Sequence, residues 1–231
     1  MMTPQRFERL QKILNQRQPD LTVLMDNVHK PHNLSAILRT CDATGVFQAH
    51  AVHDRSRVRP RRGIASGSKK WVRLKTHASI DEAMAQLQSE NLQIVVADLH
   101  PEATDYRSVD FCRPTALVLG AELSGPSPLA LEMASQIVSI PMMGMVDSLN
   151  VSVAAALILF EAQRQRREAG LYDESRLDRQ LYEQTLFEWA QPVLARFYRR
   201  KKIPYPALQA DGQIIEEEIH LAARMGKSIA G

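Results

Sequence analysis

Three short, continuous apolar runs constrain the fold most: Gln93–Leu99 (QIVVADL), Thr115–Leu119 (TALVL) and Gln136–Ile140 (QIVSI). A strand that is apolar on both sides is buried on both faces, and such strands belong to parallel sheets sandwiched between helices. Further strand patterns precede them at Leu21–Met25, Val46–His53 and Trp71–Thr76. Helical patterns alternate with these runs. Leu34, Ile37, Leu38 and Cys41 recur at helical spacing after Asn33, which predicts a helix capped by Asn33 and ended by Gly45. Ser79 predicts the cap of a helix reaching Glu90, and a short helix is expected at Leu129–Ala134. Residues 100–114 read as irregular. The alternation predicts an α/β domain, a mostly parallel sheet covered by helices on both faces.

The third run leads into the most informative loop. Pro141 stops the strand by removing a ladder donor, and a Met-rich loop with one glycine follows, Met142–Val146. Asp147, Ser148, Leu149 and Asn150 then precede the apolar run Val151–Phe160, and Ser148 and Asn150 are both candidate caps of that helix. In open α/β sheets, ligands sit at such loops beyond the carboxyl ends of strands. Outside this core the chain is helical. Phe7, Leu10, Ile13 and Leu14 mark an amphipathic helix over residues 4–16. Past Arg164 no strand pattern appears, and helices are expected at Arg176–Glu188, Pro192–Lys202 and Glu216–Met225. The expected organisation is an N-terminal helical extension (1–19), a core domain (20–165) and a C-terminal helical extension (166–231).

Charge distribution narrows the class of partner. Arg55, Arg57, Arg59, Arg61, Arg62, Lys69, Lys70, Arg73 and Lys75 put nine basic residues and no acid between positions 55 and 75. The chain's net +3 less these nine leaves −6 elsewhere. A second basic block runs Arg196, Arg199, Arg200, Lys201, Lys202. Clustered arginines in a Gly/Ser-containing stretch suit phosphate contacts, so nucleic-acid binding is expected. Aromatic content of 6% argues against a wide stacking platform for single strands. Cys41 and Cys112 show no CxxC spacing and read as reduced thiols of a cytoplasmic protein. The longest apolar run, about ten residues, is too short to span a bilayer.

Several motifs fail. Residues 63–70 (GIASGSKK) lack the glycine spacing and the Ser/Thr of a phosphate-binding P-loop, and neither GxGxxG nor GxSxG occurs. His29, His32, His50 and His53 lie across loops and a strand with no cysteine pair, so no metal site is expected.

Three loop segments remain: NLSAILRTCDATG from Asn33, LVLGAELSGP around Gly120, and IPMMGMVDSLNVSVAAALILFE from Ile140. In this order they resemble the three motifs of the SpoU (TrmH) family of RNA ribose methyltransferases, within the SPOUT superfamily. The resemblance covers roughly residues 20–165, and RRKKIPYPALQADGQI in the tail extends it. It implies a C-terminal trefoil knot, a rare exception to unknotted topology. It also implies S-adenosylmethionine bound against loops carrying Ala97, Gly120, Ile140, Ser148 and Leu149, and a homodimer with the active site at the subunit interface. Position 97 departs from the family's usual Thr. The implied activity is 2′-O-methylation of a guanosine ribose in tRNA, in the D-loop at position 18. The implied catalytic residues are Arg39, Asn33, Glu122, Ser148 and Asn150, with Arg55, Arg57, Arg59, Arg61, Arg62, Lys69, Arg199 and Lys201 on the RNA.

Methyl transfer from a sulfonium to a hydroxyl is an in-line displacement that needs positioning and loss of the 2′-OH proton, with no metal. The family's proposed proton acceptor is Arg39, but a guanidinium is protonated at ordinary pH. Arg39 therefore reads better as a clamp for phosphate or oxyanion, with Asn33, Asn150 and Glu122 orienting it and the ribose. Two alternatives are a ribosomal RNA substrate and a catalytically silent RNA-binding scaffold. The short segment before the first strand favours tRNA, and the presence of Asn33, Arg39, Glu122 and Asn150 argues against the scaffold.

Overall fold

The structure is a computed structural model that describes residues 2–52 and 70–214. The chain divides into two units, Gln18–Asp173, and Met1–Arg17 together with Glu174–Gly231.

The larger unit is built on seven strands: β1 (Leu21–Asp26), β2 (Gln48–Val52), β3 (Arg73–His77), β4 (Gln93–Ala97), β5 (Thr104–Asp105), β6 (Thr115–Leu119) and β7 (Gln136–Ser139). They form one sheet in the order β3-β2-β1-β6-β4-β7-β5, with every pairing parallel. The two-sided burial expected of continuous apolar runs is realised residue by residue. Val23, Met25, Val95, Leu117 and Leu119 pack under α2 (Pro31–Ala43) and α5 (Val151–Glu168). Their neighbours Leu24, Ile94, Val96, Ala116 and Val118 face the other way, onto α3 (Ile80–Ser89) and α4 (Pro128–Glu132). Period-2 alternation thus feeds two cores, one on each face. Truncating a fully buried member such as Ile37 to Ala is expected to cost about 2–5 kcal/mol.

Several local expectations change. The interval 100–114 contains β5 and a 3-10 turn at Tyr106–Ser108, too short for a periodic signal. The helix assigned to an Asn33 cap starts earlier, because Pro31 takes the first turn and Lys30 the cap position. Asn33 lies inside that turn, 1% exposed. Asn150, not Ser148, is the cap of α5, accepting from the Ser152 N–H at 2.9 Å. The charged tail of α5 is not wholly a solvated face either, since Arg166 is fully buried. Its guanidinium donates to the carbonyls of Phe111, Asp20 and Arg113, to Gln18 Oε1, and to Asp20 Oδ1 at 2.7 Å. Five hydrogen bonds satisfy it, which is the condition under which a buried charge is tolerated. Arg166 thereby fastens the end of α5 to the amino ends of β1 and β6.

At the β2–β3 edge, His50 Nδ1 lies 2.8 Å from His77 Nε2 in stacked rings, and Gln48 Nε2 lies 3.1 Å from His50 Nε2. Burial, then the His77 and Lys75 charges, lower His50 to a pKa of about 4.

The smaller unit contains α1 (Pro4–Asn15), capped by Thr3, with α6 (Arg179–Ala190), capped by Asp178, and α7 (Pro192–Lys201). Phe187 stacks on Tyr205 at 4.5 Å, and Tyr198 meets Phe187 edge-on at 5.8 Å. The helix expected at Glu216–Met225 lies outside the described residues.

Candidate functional site

β4, β6 and β7 end side by side, and a cavity of about 460 Å³ opens beyond their carboxyl ends. Its size is that of a small-molecule site. One wall is the loop from Gly120 to Pro126, which doubles back through paired Ala121–Gly125 backbone hydrogen bonds of 3.1 and 2.9 Å. The reversal needs glycine twice. A Cβ on Gly120 would lie 2.1 Å from Pro126 N, and Gly125 has φ +68°. The loop's exit is fixed by Asp26 at the end of β1, whose Oδ2 accepts from the Ser127 N–H at 2.7 Å. Ser127 in turn caps α4.

Glu122 projects from this loop and accepts from the Asn33 side-chain amide at 2.5 Å. Asn33 Oδ1 accepts from Asn150 Nδ2 at 3.2 Å, and Asn150 Oδ1 accepts from the Ser152 hydroxyl at 2.6 Å. Three segments far apart in sequence are thus tied by one amide relay at the rim of the cavity. Burial pushes the half-buried Glu122 carboxyl up. Its own backbone N–H, the Asn33 amide and the Lys30 and His29 charges outweigh that, so its pKa falls below the usual value. Glu122 is therefore an ionised acceptor at neutral pH.

All five residues expected to hold the methyl donor, Ala97, Gly120, Ile140, Ser148 and Leu149, line this cavity, as do Glu122 and Asn150. Asn33 stands behind Glu122. Arg39 is elsewhere: it is exposed on α2, six residues past Asn33, and does not line the cavity. Six residues of helix place it about 9 Å along the axis and on a different face. Within one chain the Asn33 and Asn150 amides are occupied by each other and by Glu122, and they do not orient Arg39.

Arg55, Arg57, Arg59, Arg61, Arg62 and Lys69 lie outside the described residues. Arg199 and Lys201 are exposed on α7. Arg196, Arg199 and Arg200 share a surface groove there, with Arg199 paired to Glu188 at 3.0 Å. Among the described residues no group of three or more His, Cys, Asp or Glu is placed to hold a metal ion. In the same range, no helix is long and apolar enough to cross a membrane.

Sequence reasoning missed Asp26, which anchors the loop, and Lys30, Asp98 and Asp147, which line the cavity. Asp26 closes β1 and Asp98 directly follows β4. Their position at strand carboxyl ends was the available signal.

The lining suits a nucleoside-type donor: apolar side chains from Ala97, Leu119, Val138 and Ile140 lie beside carboxylates able to face a cation. Comparison with known proteins agrees. Residues 20–160 match the SpoU rRNA Methylase family, and residues 164–217 match the SpoU, rRNA methylase, C-terminal family. The chain is 49% identical over 215 residues to the tRNA (guanosine(18)-2′-O)-methyltransferase of Escherichia coli K12, covering 92% of this chain and 94% of that protein. The crystal structure of the A. aeolicus TrmH/SpoU tRNA modifying enzyme is similar with a TM-score of 0.73 and 42% identity, over 80% of this chain and 94% of that one. The SpoU methyltransferase AviRb from Streptomyces viridochromogenes, in complex with the cofactor AdoMet, is similar with a TM-score of 0.58 and 29% identity, over 67% and 62%.

Proposed function

This chain belongs to the SpoU methylase family, and from that premise we propose that it methylates the ribose 2′-hydroxyl of guanosine 18 in tRNA. It is an S-adenosylmethionine-dependent RNA methyltransferase. The observation that carries the reading is the cavity beyond β4, β6 and β7, with the Glu122–Asn33–Asn150 relay at its rim.

S-adenosylmethionine supplies an activated methyl group when bound. Ala97, Gly120, Ile140, Ser148 and Leu149 hold it in the cavity, and the folded-back Gly120–Pro126 loop excludes water on one side. Asn150 and Ser148 at the mouth orient the ribose. Glu122, ionised and fixed by Asn33, holds that geometry, so the contribution of these groups is positioning. Arg39 acts as a cationic clamp on a phosphate or on the developing oxyanion.

Because Arg39 is remote from the relay of its own chain, we place it in the site of a partner subunit within a homodimer. The α5 surface supports this. Val153, Leu157 and Phe160 recur at helical spacing and are 46%, 40% and 50% exposed, with Met143 and Met145 almost fully exposed beside the cavity loop. A C-terminal trefoil knot fits the sheet order, in which β6 and β7 enter between earlier strands before α5 returns onto α2. The core domain at 20–165, between the extensions at 1–19 and 166–231, is retained as part of this reading. The basic residues at 55–69, with Arg199 and Lys201, take the tRNA backbone, and the enzyme works in the cytoplasm without a metal.

Mapping 2′-O-methylated nucleotides in RNA from cells with and without this protein tests the assignment. Loss confined to guanosine 18 of tRNA is expected. Loss confined to ribosomal RNA would overturn it.

A further inference from the structure

The cavity carries a charge that the roles above leave unused. Four charged side chains line it: Lys30, Asp98, Glu122 and Asp147. Glu122 is committed to the Asn33 amide, and Lys30 and Asp147 are exposed, where solvent screens them. Asp98 differs from all three. It directly follows β4, and its backbone N–H donates to the Val138 carbonyl at 3.0 Å, which fixes its Cα at the sheet rim between β4 and β7. Its side chain is half-buried and reaches towards the facing loop, Oδ1 lying 3.4 Å from where a Cβ on Gly125 would stand. Among the described residues its carboxylate has neither a hydrogen-bond nor an ion-pair partner. A half-buried carboxylate without a protein partner at a cavity wall is open to a cationic ligand group, and their attraction is screened less there than between fully exposed charges.

We propose that Asp98 holds a cationic group of the methyl donor and so makes the cavity select charged donors over uncharged nucleosides. This rests on the reading of the cavity as the donor site. The donor has two cationic centres, the sulfonium and the α-ammonium. If Asp98 faces the sulfonium, the site also discriminates against its own product, S-adenosylhomocysteine, whose sulfur is neutral.

The test is calorimetric binding of three ligands to the full-length protein and to Asp98→Asn, which keeps the shape and removes the charge. S-adenosylmethionine carries both cationic centres, S-adenosylhomocysteine only the ammonium, and 5′-methylthioadenosine neither. The Kd for S-adenosylmethionine should rise about tenfold or more in the variant, as for loss of a charge-assisted hydrogen bond. The Kd for 5′-methylthioadenosine should stay within about twofold. A parallel rise for S-adenosylhomocysteine assigns the contact to the ammonium, and an unchanged value assigns it to the sulfonium; either supports the proposal. Equal weakening of all three ligands, or an unchanged Kd for S-adenosylmethionine, overturns it. Asp98→Glu, which retains the charge, should bind S-adenosylmethionine more tightly than Asp98→Asn and keeps the test open should Asp98→Asn fold poorly. If the wild-type protein bound none of the three, the donor-site reading itself would fail, a distinguishable result.

Discussion

Replacing Gly120 by Ala puts a methyl group where there is no room for one. The new Cβ would lie 2.1 Å from Pro126 N, 2.2 Å from Gly125 C and 2.6 Å from its carbonyl oxygen. All three are backbone atoms, so no side-chain rotation relieves the clash, and a displacement of at least roughly 1.3 Å is needed to reach ordinary contact. β6 is the less yielding partner, because Leu119 is registered with Met25 on one side and Ala97 on the other. The loop must therefore move, breaking the two Ala121–Gly125 backbone bonds and drawing Glu122 off Asn33. Two neutral hydrogen bonds and one charged one amount to about 2.5–6 kcal/mol of local stability. A displacement near 1 Å at a reacting geometry costs on the order of 10²-fold in rate. Gly120→Ala should lower S-adenosylmethionine affinity at least tenfold by calorimetry and single-turnover methylation about 10²-fold, while circular dichroism still shows a folded α/β protein. Gly144→Ala is the matched control, since a Cβ there meets nothing within 4 Å, and it should bind donor within about twofold of wild type. Wild-type donor affinity in Gly120→Ala would refute the claim that this close approach builds the cavity wall.

Other consequences concern assembly, acid and salt. Mixed Arg39→Ala and Asn150→Ala subunits should recover part of the activity that each variant lacks alone, because a heterodimer rebuilds one complete site; no recovery would return Arg39 to its own chain. His50 titrates near 6.5 in the unfolded chain and at about 4 in the folded one, so the unfolded state binds more protons between these values. Its contribution to stability is complete above pH 6.5 and is lost as pH falls, about 3 kcal/mol by pH 4 and roughly 2 by pH 5. Urea unfolding of His50→Gln should show a flatter pH dependence in that window, and an unchanged slope would reject the buried neutral pair. Converting Arg196, Arg199 and Arg200 to Gln should weaken tRNA binding and reduce its salt slope by about 0.7–0.9 for each phosphate that is no longer neutralised. An intact slope would take α7 out of the RNA footprint.

How far the fold was legible depended on how local the signal was. Thr115–Leu119 was readable to the residue because a run apolar on both sides has one stable home, the middle of a parallel sheet. Thr104–Asp105 was not, since two residues carry no period. Asn33 looked like a cap by residue type, and only the three-dimensional chain shows Pro31 opening the helix and Asn33 turned to Glu122. Glu122, Asn33 and Asn150 were each legible as candidates. Their mutual hydrogen bonds were not, because separations of 89 and 117 residues leave no trace in spacing. Arg166 is the sharpest case. Within EAQRQRRE it is indistinguishable from its solvated neighbours, and its burial follows from carbonyls and a carboxylate contributed by remote segments.

The proposed reaction transfers one methyl group to one hydroxyl, the ribose 2′-OH of guanosine 18 in tRNA. The most direct measurement is methyl incorporation from labelled S-adenosylmethionine into two synthetic tRNAs that differ only at that position, one with guanosine and one with 2′-deoxyguanosine. One methyl per molecule is expected in the first and none in the second. Equal incorporation into both would contradict it.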